Sequence, residues 1–536
     1  MEWGKDEKKI LPENQTADAG SITVFLCILF LLFFSVLGAA FENVRVLSSQ
    51  GYMRTAAYAA AMTVFGSYNK ELYEEYGFFA YGGYDGKGCE DLAEDFNGIL
   101  MQNIQVQPDN VQNTYSNLYR ISEVESSVEE AGYLTSQEIL DGQIKAYLKG
   151  TEVEGLKNSL KGKLSGDMDS NAMEEKLALT KEYENGEFDG QQEEAEETGD
   201  KTEIAEEHTE EDVAGGNPLE IFTDMVRDGV LNLVCDASRL SDGIIEPIEE
   251  AADDAEEAGD RDGDKYAADY LQEILEEAEL PSDKNLLEKE IQKLEYIAYA
   301  AKQFSSYTSD KKRTTKYGME YLAAGKREEK DNLSYIVNRL LGIRIMINFA
   351  GILSDPLLQE KSLATATVLA GFTGMPPVIK AVQYVILLIL AFEESCVDIT
   401  AFLEGRSVPL VKSAKSFKMA YEEICLASKG LFAAKAREYP VKGKSATDVT
   451  YQQYLCLFLL TVSKENLRSR SCDLIQYDLR EKFNQTFRID DCICTSRYVV
   501  QYSVPYIFEN LPFLGKMEEG QGNTKSLEVK YAYKSR

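Results

Sequence analysis

The sequence predicts an α+β protein that is mainly α-helical, with an N-terminal transmembrane helix, a long extension of that helix, a helical bundle core and a small antiparallel C-terminal sheet. Three observations lead to this prediction. Residues 21–40 are uncharged and strongly apolar. Residues 286–403 contain several apolar segments with helical spacing. Residues 487–508 are rich in β-branched and aromatic side chains, which favour strands.

The apolar run of residues 21–40 is long enough to cross a bilayer, because twenty residues at about 1.5 Å each span about 30 Å. Lysines precede the run, which indicates that residues 1–20 form a cytoplasmic tail. The predicted location is therefore the cell membrane, as a single-pass protein whose bulk lies outside. Six residues mark the predicted membrane anchor: Ser21, Phe25, Phe30, Phe33, Phe34 and Ala40.

Two kinds of processing are open at this run. Small residues at 38–40 fit a signal-peptidase site, although the run is longer than the apolar core of most signal peptides. Gly20 followed by Ser21 forms a possible leader junction at the start of the apolar helix. In either case the rest of the chain is exported.

The anchor helix is predicted to continue without a break to residue 76, because no proline interrupts it and alanines favour the helix. Gly77 is the expected stop. An apolar stripe at helical spacing runs along this extension. It faces either the protein's own core or a partner's helix, and its candidate interface residues are Tyr58, Met62, Phe65, Leu72 and Tyr76.

Composition divides the rest of the chain into four regions. Residues 41–180 contain the extracytoplasmic helix and an α/β region, with strands expected within 115–133. Residues 181–265 hold two dense acidic blocks and are predicted to be a disordered insert. Residues 266–440 are predicted to form the helical bundle, and residues 441–536 a C-terminal α+β region.

One segment of the bundle region could be mistaken for a second membrane span. Residues 378–392 are apolar, but the run is short and includes Lys380 and Gln383. We therefore predict a buried bundle helix here. That interpretation leaves a single span in the chain.

The net charge of −35 excludes some classes of partner. Nucleic acid is not expected, because its phosphates would be repelled. Flat adsorption to an anionic lipid surface is disfavoured for the same reason. The membrane is nevertheless a predicted partner, through the apolar run.

No motif predicts catalysis or a firm metal site. His208 is the only histidine and lies in an acidic block, which argues against Ser-His-Asp triads and multi-histidine sites. Residues 443–445 lack the first glycine of a P-loop, and a loop from Asp260 lacks the glycine and glutamate of an EF-hand. Loose calcium binding by the acidic insert stays open. We expect no enzyme activity, no cofactor and no small-molecule substrate.

The nine cysteines are widely and irregularly spaced, unlike those of a disulfide-dense scaffold. We expect mostly buried free thiols, with room for one or two bridges whose pairing the sequence does not determine. Cys492 and Cys494 are two apart on a predicted strand and should share a face.

Five segments together resemble a known group of proteins: residues 20–26, 71–79, 352–356, 391–398 and 405–412. The chain resembles an uncharacterised family of single-span surface proteins of Gram-positive bacteria. That family is similar at its N-terminus to the TadE/TadG pseudopilins of the tight-adherence (Flp) pilus system. Phe25 departs from the pseudopilin pattern, which usually has glutamate at that position.

The resemblance implies a pilin-like long helix and a structural or accessory role in a Tad-like pilus or surface apparatus. It implies other pilus or surface-apparatus proteins as partners, and it brings no catalytic residues. The alternative is a stand-alone cell-surface binding module or sensor that acts through its C-terminal regions.

Overall fold

The computed structural model describes residues 15–104 except 85 and 87, 121–149, 229–248 except 237 and 239, 284–309, 311–441, 447–507 and 523–533, with a few isolated positions. The chain forms two compact units. Unit 1 consists of residues 1–70, 79–134 and 490–534. Unit 2 consists of residues 71–78, 135–489 and 535–536. The predicted C-terminal region 441–536 is thus divided between the two units.

The helices and strands follow one another in this order: α1 Gln15–Gly66, α2 Lys70–Tyr76, β1 Tyr81–Gly82, α3 Cys89–Ile104, β2 Ser122–Tyr133, α4 Gln137–Leu148, α5 Val230–Val234, α6 Lys284–Gln303, α7 Gly318–Ala324, α8 Glu329–Leu353, α9 Pro356–Ala370, α10 Pro376–Leu403, β3 Val408–Pro409, α11 Lys429–Ala436, β4 Asp448–Val449, α12 Tyr451–Thr461, α13 Lys464–Lys482, β5 Cys492–Val504 and β6 Asn523–Ala532. The predicted fold class, α+β and mainly α with an N-terminal apolar helix and a small antiparallel sheet, is confirmed.

Unit 1 packs α1 and α3 against a four-stranded antiparallel sheet. β5 is its central strand, with β2 on one side and β1 and β6 on the other. Side chains two apart on a strand point to the same face. Accordingly Tyr498, Val500, Tyr502 and Val504 of β5 all lie in the core of unit 1. The ring of Phe96 from α3 stacks on Tyr498, with centroids 3.9 Å apart.

Unit 2 is mainly helical and contains the predicted bundle region 266–440, with further residues on both sides of it. α8 and α10 pack along each other, and α9 packs beside α10. The run 378–392 lies in α10. Ile386, Leu387 and residues 389–392 are buried, but Val378, Lys380 and Ala381 are exposed, so the prediction of a buried helix holds only for the second part of the run. Two helices of the described chain are long and apolar enough to cross a membrane: the 22–66 part of α1, and α8. The most apolar window of α8 is 67% buried within the protein, as expected of a core helix.

The prediction of one helix from residue 21 to residue 76 is wrong in its last ten residues. α1 ends at Gly66, and Asn69 turns the chain by donating its backbone N–H to the carbonyl of Ala80 at 2.8 Å. α2 then ends at Tyr76, directly before the expected stop Gly77, which has a φ of +76°. A Cβ at Gly77 would collide with the ring of Tyr147, so both backbone and space require glycine.

Most of the predicted acidic insert, residues 181–265, lies outside the described residues, as does His208. Within the insert, however, residues 230–234 form α5, and Leu233 and Ile245 are buried, so the prediction of disorder is wrong for this part. For the residues outside the description it stays a prediction. The described residues contain no group of three His, Cys, Asp or Glu side chains that could hold a metal ion. All nine cysteines are free thiols, and seven of them are buried, among them Cys492 and Cys494.

Candidate functional site

The first half of α1 is an apolar rod on which none of the described residues packs. Residues 22–40 carry no charge, and none of them is buried. All the predicted anchor residues lie in this helix, and the side chains of Phe25, Phe30, Phe33 and Phe34 are about half exposed or more. Gly20 and Ser21 lie inside α1, so the helix continues through the predicted leader junction.

The second half of α1 has one buried face. Met53, Ala57, Ala60 and Ala61 lie on it and belong to the core of unit 1. Alanine side chains let α3 and the sheet approach the helix closely, and the larger rings fill the ends of the contact. Packing on its own domain therefore uses the alanine-rich face.

The opposite face of α1 is exposed and partly apolar. Val44, Leu47, Tyr58 and Met62 lie on it at helical spacing, with Tyr58 48% and Met62 58% exposed. Small residues, among them Gly51, lie along the same face. Among the described residues this is an apolar helix surface continuous in sequence with the apolar rod.

The five predicted interface residues therefore separate into three environments. Tyr58 and Met62 face solvent. Phe65 is buried in unit 1, where its ring centroid is 4.7 Å from that of Tyr531. Leu72 and Tyr76 are buried in unit 2, on α2. The stripe read from the sequence combined two helices, because it assumed one unbroken helix. On α1 itself Phe65 lies on the same side as Tyr58 and Met62, but Tyr531 and Tyr533 cover it at the end of the helix.

Tyr76 has a structural role in unit 2. Its hydroxyl donates to Oδ2 of Asp478 at 2.8 Å, and its carbonyl accepts from the hydroxyl of Tyr299 at 2.9 Å. The Arg313 guanidinium lies 4.4 Å above the centre of its ring and 3.2 Å from Asp478. Burial, with the nearby Asp478 carboxylate, raises the pKa of Tyr76 well above its ordinary value. These contacts leave no free surface on Tyr76 for a partner.

An ion pair that sequence reasoning missed lies just after the anchor. Arg45 pairs with Glu42 one turn earlier, and both are buried. Arg45 also donates to the carbonyls of Tyr119 at 2.8 Å and Pro505 at 2.6 Å. Arg45 therefore binds α1 to two distant segments of unit 1. Only its i,i+3 spacing from Glu42 was visible in the sequence.

A second buried charge cluster lies in unit 2. Arg344 of α8 donates to Oδ2 of Asp398 on α10 at 2.9 Å and 2.6 Å. Lys412 donates to Oδ1 of Asp398 at 2.7 Å and also pairs with Glu394. All four side chains are fully buried in the protein. Burial alone would raise the pKa of Asp398, but Arg344 and Lys412 outweigh it and hold that pKa below its ordinary value.

Near this cluster, Glu393 is buried and its carboxyl makes no hydrogen bond among the described residues. Burial, with a smaller contribution from the Glu423 carboxylate, raises the pKa of Glu393 to about 9. The neighbouring charge cluster is closed by hydrogen bonds from Tyr439 and Asn348 to Asp398. Its donors and acceptors are directed at one another, so the arrangement stabilises α8 against α10 and offers no reacting group to a substrate.

Residues 206–504 match the model of a family of unknown function, DUF5702. This match covers more than half of the chain. The chain belongs to the DUF5702 family. Neither a curated protein nor a solved structure matches it. The DUF5702 match includes the buried charge cluster, α9, α10 and β5, whereas α1 and β6 lie outside it.

Proposed function

We propose that this DUF5702 chain is a membrane-anchored, extracytoplasmic structural or accessory component of a pilus-like surface apparatus. In this proposal α1 has two tasks. Its first half crosses the membrane once, and its second half docks on the helix of a partner protein. The observation that carries the proposal is the exposed apolar face of α1 beyond the anchor, formed by Val44, Leu47, Tyr58 and Met62.

The chemistry of that face supports docking on a helix. Small residues at Gly51 and Ala59 let a partner backbone come close, which favours helix packing at a membrane. The hydroxyls of Thr55 and Thr63 donate to the carbonyls four residues earlier, at 3.0 Å and 2.8 Å. The exposed face therefore places few hydrogen-bonding demands on a partner.

A span exchange tests the proposal. Residues 21–40 are replaced by an unrelated span of equal length, and surface display and complex assembly are measured separately. We expect display to survive and assembly into a large complex to fail, because α1 is one continuous helix and a partner helix docked on its second half would continue beside residues 21–40 in the membrane. Survival of both display and complex assembly would contradict a specific helix contact and would instead support the stand-alone binding module or sensor.

A second variant addresses the exposed face directly. In Tyr58→Ser/Met62→Ser, we expect normal membrane location and an unchanged melting temperature, but a smaller complex on native gels in mild detergent. Glu94→Ser, at an exposed position on α3, is the matched control. An unchanged complex in the double variant, equal to that of the control, would contradict docking through this face.

A further inference from the structure

The turn between α9 and α10 presents large apolar side chains to solvent. A short 3₁₀ turn, Gly371–Thr373, joins the helices, and Gly374 follows it with a φ of +62°. Phe372 is 89% exposed and Val368 is 83% exposed. We call four exposed residues at this turn the hairpin tip: Val368, Phe372, Met375 and Val378.

The arms behind the hairpin tip are held together, so the tip is a fixed feature of unit 2. The side-chain amide of Gln383 on α10 donates to the carbonyl of Gln359 at 2.9 Å and to the hydroxyl of Ser362 at 3.2 Å, both on α9. Pro376 and Pro377 occupy the first turn of α10, where their rings fix the backbone. The exposed side chains are therefore held in place before anything binds them.

Polar groups near the hairpin tip are satisfied within the hairpin. The Thr367 hydroxyl donates to the carbonyl of Leu363 at 2.7 Å, and the Thr373 hydroxyl donates to the carbonyl of Ala370 at 2.7 Å. In hydrocarbon an unpaired polar group costs several kcal/mol, whereas in water it costs nothing. Because both hydroxyls already have hydrogen-bond partners within the hairpin, they could enter an apolar environment without this cost.

The charge pattern of the hairpin differs from that of the rest of the chain. No acidic residue lies between Glu360 and Glu393, although the chain has 91 acids among 536 residues. The only charges in that interval are Lys361 and Lys380. Lys361 pairs with Glu422, and Lys380 is exposed. The hairpin has thus lost the acids that would repel it from an anionic surface.

We infer that the hairpin tip inserts into the interface of a lipid bilayer, as a second membrane contact separate from α1. Exposed apolar patches of this kind mark protein or membrane contacts. A protein partner would be recognised through hydrogen-bonding groups at the rim, and the tip directs its hydroxyls inward. Lipid accepts an apolar wedge without such pairing, and a basic side chain at Lys380 suits its headgroups.

This inference depends on unit 2 alone. It would stand even if the proposed orientation or partners of α1 were wrong. It also agrees with the strongly negative charge of the chain, because the apolar hairpin tip enters the bilayer and the acidic surface stays in water. The probe is a single tryptophan, placed in the full chain with Trp3→Phe so that no other tryptophan emits.

Phe372→Trp is compared with Leu426→Trp, which replaces another exposed apolar residue of unit 2. Both proteins are reconstituted in phosphatidylcholine vesicles with and without brominated phosphatidylcholine, which quenches tryptophan in the bilayer. We expect about two-fold quenching for Phe372→Trp, because interfacial elements lie about 5–10 Å into the headgroup boundary, and none for Leu426→Trp. Met375→Trp repeats the test in case Phe372→Trp does not fold.

Each other outcome contradicts the inference in a distinct way. Vesicle flotation without quenching at either tip position would show that the anchor holds the protein while the hairpin tip stays in water. Equal quenching at the tip and at Leu426→Trp would show unspecific contact with lipid. If the emission of the tip tryptophan were blue-shifted but unquenched, and the shift grew with protein concentration, the surface would instead bind a second copy of the chain. Failure to float would contradict the proposed anchor as well as the tip.

Discussion

The first half of α1 and the whole of α8 meet the same criterion of length and apolar character, yet their surroundings differ completely. The α1 window is unburied, whereas most of the α8 window is buried in unit 2. α8 also has polar residues at its centre, and each has a partner: Arg344 with Asp398, and Asn348 with Ser395 at 3.0 Å. A long apolar helix therefore needs either lipid or protein around it. Polar side chains that pair with other residues, as in α8, indicate that the surrounding is protein.

The largest expected effect comes from breaking the pair that marks α8 as a core helix. Asp398→Ala leaves Arg344 and Lys412 buried without their shared carboxylate. Removing one partner of a buried ion pair destabilises a protein by about 3–5 kcal/mol. We expect a large drop in the melting temperature of unit 2, measured by circular dichroism in detergent micelles.

The control for Asp398→Ala is Glu129→Ala, which removes one partner of the exposed pair with Arg497. No measurable change in melting temperature is expected there, because water screens that pair. If the two variants melted alike, the charge cluster would not stabilise α8 against α10.

A somewhat smaller effect is expected from Glu393, the buried carboxyl of α10. Its folded pKa of about 9 exceeds its unfolded value, so the folded protein holds the proton more tightly. The stability gained by that proton is complete at acidic pH and is lost as pH rises to about 9. Between pH 7 and pH 9 the loss is about 3 kcal/mol, at about 1.4 kcal/mol per pH unit.

Glu393→Gln should remove this loss, so the melting temperatures of wild type and variant should diverge as pH rises from 7 to 9. Glu320, whose pKa burial raises to about 7, also loses part of its proton within this window, but it does so in both proteins and its effect cancels in the comparison of wild type with Glu393→Gln. Parallel melting curves for the two proteins over that range would mean that Glu393 is charged in the folded state.

The smallest expected effect concerns the apolar rod of α1. Leu31→Ala should change the melting temperature of the protein in micelles by the equivalent of about 0.5 kcal/mol or less, because Leu31 is 57% exposed among the described residues. Leu340→Ala in α8 is the matched comparison, and a buried leucine lost from a core costs about 2–5 kcal/mol. A strong effect at Leu31 would mean that the rod packs on protein, which would remove the contrast with α8.

Local patterns in the sequence predicted the elements well. The uncharged run and the β-rich segment 487–508 each depend on neighbours along the chain, and the structure has α1 and β5 there. The buried face of α1 was harder to predict. Alanines such as Ala57 and Ala61 give a weak apolar signal, yet they pack, whereas the stronger signals of Tyr58 and Met62 point outward.

Contacts between distant residues could not be predicted from the sequence. Asp398 is 54 residues from Arg344 and 14 residues from Lys412 along the chain, so no local pattern relates the three. β2 pairs with β5, although residues 135–489 of unit 2 separate the two strands along the chain. The exposure of Phe372 was equally hidden, since an apolar helix end looks the same whether it faces a core or solvent.

The composition of unit 1 from both ends of the chain has a consequence for biosynthesis. α1 leaves the ribosome early, but its sheet partners β5 and β6 are made only after all of α13. At about 5–20 residues per second, the wait is on the order of 20–90 s. During that time the alanine-rich face of α1 has no sheet to cover it, while the segment 135–489 can already fold. The nascent helix is therefore the part of this protein that most needs a chaperone.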